Sequence, residues 1–233
     1  MKAIVLLLFM LTQSNLLNAE NIPVKINTAI VKVYIPEGFD DNDHVQIVGE
    51  GIFPNSCFRA AESDALVNLE KREIIINPKA FKYEGLCLQV LIPFEMSFHF
   101  GFLQSGSYSI RQHAEGPLLG TVNVHGSKTS EPDDYLYAPI SQAFLKATAG
   151  SATVFLTGDF PVSCMKMKEV KFQVQADVIV VQPVAEIDSS VPCKQGSFPF
   201  STSKNLGMVN SGKYLLHIRS MNGKAVNNLI KVP

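Results

Sequence analysis

Two heptapeptides decide how this chain is read: Gly51-Ile52-Phe53-Pro54-Asn55-Ser56-Cys57 and Gly158-Asp159-Phe160-Pro161-Val162-Ser163-Cys164. They share five of seven residues at an offset of 107. The match continues downstream. Ile74-Ile75-Ile76-Asn77-Pro78 answers Ile179-Val180-Val181-Gln182-Pro183 at an offset of 105. Cys87 and Cys193 are 106 apart, as are Ser105-Gly106-Ser107-Tyr108 and Ser211-Gly212-Lys213-Tyr214. Pro93-Phe94 has a looser echo in Pro199-Phe200. Landmarks in one order at nearly constant offset imply an internal duplication. The period is too long for a solenoid repeat and fits a tandem domain pair. The expected units are residues 20–128 and 129–233, joined through the polar stretch 126–134.

Residues 1–19 read as a secretory signal peptide. Lys2 supplies the positive start, Ala3 to Leu11 the short apolar run, and Ala19 the cleavage site. The run is about half the ~20 residues that span a bilayer. All four cysteines lie in the exported part, and an even count there implies two disulfides. Of the three possible pairings, only Cys57–Cys87 with Cys164–Cys193 keeps the repeat symmetric. Each would stabilise its unit by roughly 3–4 kcal/mol on the chain-entropy estimate. The sequence has no Asn-x-Ser/Thr sequon, which points toward a bacterial exported protein, periplasmic or at the cell surface.

The apolar pattern within each unit is short, alternating and β-branched. Ala29–Ile35, Val45–Val48, Cys87–Ile92, Tyr108–Arg111, Thr121–Val124, Ala152–Leu156, Lys171–Ala176, Tyr214–Ile218 and Leu229–Val232 are expected strands. Asn222-Gly223 marks a hairpin. Residues 60–71 could form a short helix, but the equivalent segment, 169–176, reads as strand. Many short strands without βαβ alternation predict an all-β protein built from sandwiches.

The repeated Ser-Gly-x-Tyr sharpens this. Around Gly106 and Tyr108, and again around Gly212 and Tyr214, the chain resembles the tyrosine corner of immunoglobulin-like and fibronectin-type domains. The resemblance implies two tandem immunoglobulin-like β-sandwiches. It covers about eight residues per unit and departs from antibody-type domains. There is no Trp, and Ile110 and Leu216 stand where the second cysteine would be.

Composition narrows function mainly by exclusion. With 46% hydrophobic residues, 18% charged and a net charge of −1, the chain is neither disordered nor a phosphate-neutralising nucleic-acid binder. The first unit has 9 basic and 13 acidic residues, the second 10 and 8, an asymmetry suited to contact between units or copies. None of the five histidines stands in a zinc motif, and no P-loop, dinucleotide fingerprint or nucleophile elbow occurs. No catalytic residue is therefore nominated. Asp40, Asp41 and Asp43 form the most suggestive cluster, four oxygen donors with Asn42 that would suit calcium, though the spacing is not an EF-hand. Phe98, Phe100 and Phe102 share one strand parity with Phe94. They are core or a sticky strand for β-augmentation. The expectation is an exported, non-enzymatic binding or structural protein that recognises protein or glycan. The alternatives are a periplasmic chaperone-like assembly factor acting through a strand edge, and a hydrolase with its site between the sandwiches.

Overall fold

The computed structural model describes residues 22–129, 133–148 and 151–233. The leader and the middle of the expected linker lie outside them. The described residues are all-β, with no helix. In chain order the strands are β1 (Val24–Asn27), β2 (Lys32–Tyr34), β3 (Phe39–Asp40), β4 (Val45–Phe53), β5 (Phe58–Asn68), β6 (Glu73–Lys82), β7 (Ile92–Gly101), β8 (Gly106–Gln112) and β9 (Leu118–His125). They continue as β10 (Ile140–Thr148), β11 (Ser151–Val162), β12 (Met165–Gln175), β13 (Val178–Ile187), β14 (Gln195–Gly207), β15 (Gly212–Ser220) and β16 (Lys224–Val232).

Four sheets result. The first half of the chain forms β1-β6-β8-β9-β3, with β5 also on β6, and the three-stranded sheet β2-β4-β7. The second half forms β12-β13-β15-β16 and β10-β11-β14. Each half closes its own core between its two sheets. Ile47 and Phe98 meet Ile74, Tyr108 and Ile110 in one. Val154 and Leu156 meet Ile179, Leu216 and Ile218 in the other.

Pairings of the two halves correspond at the repeated landmarks. Gly51 pairs with Phe94, and Gly158 with Phe200. β6 and β8 run parallel with Glu73 opposite Ser109, and β13 and β15 run parallel with Val178 opposite Leu215. Tyr108 faces Val122 as Tyr214 faces Ile230.

This register explains the heptapeptides. The Phe94 ring stacks on Phe53 at 4.0 Å and covers Gly51, and the Phe200 ring stacks on Phe160 at 4.2 Å and covers Gly158. A Cβ on either glycine would collide with that ring and with a backbone carbonyl, of Ala29 or Pro139. The motif serines hold the cysteine loops: the Ser56 hydroxyl accepts from Leu88 N (2.8 Å), and the Ser163 hydroxyl from Lys194 N (3.0 Å). Both disulfides, Cys57–Cys87 and Cys164–Cys193, are formed, as suits an oxidising compartment.

Residues 60–68 belong to strand β5, not a helix. Two expectations change. Cys87–Leu91 is not a strand; its backbone is irregular and β7 starts at Ile92. Its side chains do not alternate between core and water. The Phe series is broken at Gly101, whose φ of +71° ends the alternation. Phe98 lies in the core and Phe100 packs against it. Phe102 turns out to solvent, and Leu103 takes the buried place.

Candidate functional site

The two halves meet along a seam. The outer face of β2-β4-β7 contributes Tyr34 and Val48; the outer face of β13-β15-β16 contributes Val178, Val180, Leu215 and the partly buried Leu229. Tyr34 and Val48 are 0% and 2% exposed. Charged and polar groups rim this apolar centre. Lys32 pairs with Asp177 at 2.7 Å. Lys213 pairs with Glu50, which also accepts from the Tyr34 hydroxyl at 3.0 Å. Burial alone would raise the Glu50 pKa, but the bonds from Lys213 and Tyr34 hold it below the usual carboxylate range.

At one end of the seam lies its only buried ion pair among the described residues. Arg219 Nη1 reaches Asp43 Oδ2 at 2.9 Å, and Nη2 donates to the Gly38 carbonyl. Nη1 also lies 3.3 Å from the Tyr137 hydroxyl, and the guanidinium sits 5.1 Å from the Phe39 ring centroid. Beside it, buried His217 joins Asn227 through Nδ1 at 2.7 Å, and Asn227 donates to Gln46 at 3.0 Å. Burial, with Arg219 nearby, depresses the His217 pKa to about 4, so the ring is neutral. Two buried nitrogens here, His217 Nε2 and Arg219 Nε, have no protein partner. Both residues help line a water-sized cavity of about 10 Å³. Above it a wider depression of about 600 Å³ is lined by His44, Phe102, Asp133, Tyr135 and Asn222 among others. Burial pushes Asp133 up to about 6, with Asp43 and Asp134 adding to the rise. This constellation is a clamp. Its ion pair, Arg219 with Asp43, joins the two halves across the seam.

The sequence-nominated acidic residues are divided by the fold. Asp43 turns inward to Arg219 and accepts from Asp40 N (2.8 Å), while Asp41 accepts from Ser127 N (2.9 Å). That bond lowers the Asp41 pKa. Among the described residues no group of three or more His, Cys, Asp or Glu side chains is arranged to hold a metal ion. Asp43 and Asp41 are thus each engaged by a separate partner, Arg219 and the Ser127 amide. Phe98 lies in the core and Phe100 packs partly buried against it, while their strand β7 is an edge of its sheet; the Phe102 ring lies tilted against His44 at 4.3 Å at the rim of the depression. Tyr108 forms the expected corner, its hydroxyl donating to the Gln104 carbonyl at 2.9 Å with Gly106 at a φ of +146°. Tyr214 is buried after Gly212 in the same place of the second half.

Sequence reasoning missed a further surface. In β4, Val48 pairs with Tyr34 on one side and Ser97 on the other. The residue with the same neighbours in the second half is Phe155, paired with Phe144 and Ser203. The buried Tyr34–Val48 face therefore has an open counterpart. Phe144 is 57% exposed, and its ring stacks on Phe155 at 4.9 Å. Gln142, Thr153, Thr157 and Lys146 surround them by strand alternation. The opposite free face was dressed differently. The seam positions Val178, Val180, Leu215 and Leu229 correspond to Glu73, Ile75, Ser109 and Thr121 in the first half. Glu73 is paired there with Arg111 at 3.0 Å. One end thus mixes Glu73, Ser109 and Thr121 with Ile75 and the exposed Leu66 opposite it, while the other keeps two aromatic rings. Comparison with protein-family models, curated proteins and solved structures finds no match for this chain.

Proposed function

We propose that this chain is an exported, non-enzymatic binding protein of two tandem immunoglobulin-like sandwiches that arose by duplication, periplasmic or on the cell surface. The corresponding strand registers and the paired roles of Gly51/Gly158, Ser56/Ser163 and the two disulfides support the duplication. The binding face is the outer surface of β10-β11-β14. One observation carries this reading. The equivalent face of the first half is buried against another sandwich, while Phe144 stays exposed, stacked on a half-buried Phe155. Its partner is a protein that presents an apolar sheet face, as the second half does to the first.

Photo-crosslinking in exporting cells tests this. A crosslinking residue at position 144 is expected to capture a discrete protein, and one at Thr121, on the outer face of the other half, is not. Serine at Phe155 should abolish the adduct. Equal adducts from both faces, or none from position 144, would overturn the reading.

A further inference from the structure

The segment 83–91, between β6 and β7, carries a cluster of solvent-facing aliphatic side chains. Leu86 is fully exposed, and Leu88, Val90 and Leu91 are 70%, 50% and 72% exposed. The loop is nevertheless held tightly. Cys87 is bonded to Cys57, Leu88 exchanges two hydrogen bonds with Ser56, and Tyr83 N donates to the Cys57 carbonyl at 2.8 Å.

The second half shows that this apolar content is not needed to build the loop. There the equivalent segment, Asp188-Ser189-Ser190-Val191-Pro192-Cys193-Lys194, has the same disulfide and the same serine bonds with a mostly polar sequence. Asp188 N even donates to the Cys164 carbonyl, as Tyr83 N does to Cys57. Exposed leucines on an already secured loop are a cost without an outside partner.

Neighbouring strands add to the same end of the molecule. Val24, exposed, pairs with Lys82 next to the loop, and exposed Ile52 pairs with Pro93 just after it. Lys25, Arg59 and Lys82 are exposed around this tip, and Glu84 is exposed within the loop itself. Convex aliphatic projections ringed by basic side chains suit a fluid anionic surface, which needs no matching cavity.

From this juxtaposition we infer that the 83–91 loop is a membrane-docking tip, seating Leu86, Leu88, Val90 and Leu91 among lipid chains while Lys25, Arg59 and Lys82 meet anionic headgroups. This is independent of the Phe144–Phe155 face.

The chain contains no Trp, so Leu88→Trp makes a single fluorescent reporter. With vesicles containing phosphatidylglycerol its emission should shift to the blue and be quenched by brominated acyl chains. Leu86→Ser with Leu91→Ser should lower vesicle co-sedimentation by at least about tenfold, with an unchanged thermal unfolding midpoint. Phe144→Ser with Phe155→Ser should leave it unaltered, which separates this site from the binding face. Unchanged Trp emission at saturating vesicles would overturn the inference. So would wild-type co-sedimentation of the double serine variant, or a blue shift that follows protein concentration without lipid, the mark of self-association.

Discussion

Arg219 and Asp43 lie 176 residues apart and yet form one buried pair. Both side chains are almost wholly withdrawn from water, so removing one partner leaves an uncompensated charge. Asp43→Asn is expected to destabilise the chain by about 3–5 kcal/mol, read from urea unfolding at neutral pH. A loss below about 1 kcal/mol would mean that water reaches Arg219 freely. His217 gives a pH signature. Its folded pKa of about 4 lies below the 6.5 of a free imidazole, so the unfolded chain takes up the proton first as pH falls. Stability should therefore decline from about pH 6.5 to 4, by up to roughly 3 kcal/mol, and His217→Gln should remove that decline. Asp133 acts with the opposite sign. Its pKa is raised to about 6, so the stability it contributes is present in acid and lost as pH rises through 6. Asp133→Asn should stabilise by on the order of 1 kcal/mol at pH 7, discounted for its partial exposure, and be neutral near pH 4.

Strand identity followed closely from period-two alternation, because each core face needs every second side chain buried. The failures have local causes. Cys87–Leu91 is apolar without being a strand, since a disulfide and Ser56 hold it in place of a ladder. Phe102 leaves its row because Gly101 takes a positive φ. The glycine in each heptapeptide is the element's most restrictive position. Gly158→Ala would drive a methyl into the Pro139 carbonyl and the Phe200 ring. A loss of about 1–3 kcal/mol or more is expected, and Gly51→Ala should behave alike in the other half, measured by thermal unfolding. Replacing Cys57 and Cys87 by serine should cost about 2–5 kcal/mol, and the same pair of changes at Cys164 and Cys193 a similar amount.

For the whole molecule, the seam decides whether the two halves move together. Tyr34 and Val48 pack on Val178, Val180 and Leu215, and Lys32–Asp177 and Lys213–Glu50 rim them. Val180→Asp would bury an unpaired carboxylate at the centre of this contact. It should split unfolding into two calorimetric transitions and lengthen the particle in X-ray scattering, with the second core otherwise kept. A single transition at the wild-type position would show that the seam contributes little to cohesion.

The sequence by itself determined the all-β class, the repeated landmarks, the cysteine partners and the Tyr108 corner. These are encoded locally, in alternation, turn residues and spacing that recur at one offset. Only the tertiary structure decided which faces of the repeated sheets meet. Tyr34 and Phe144 occupy the same place in their sheets, and nothing in their local sequence says that one is buried and the other exposed. The same holds for Asp43, read as an oxygen donor for a cation and found paired with an arginine from the far end of the chain. Such contacts depend on the relative placement of two folded halves, which no periodicity within either half records.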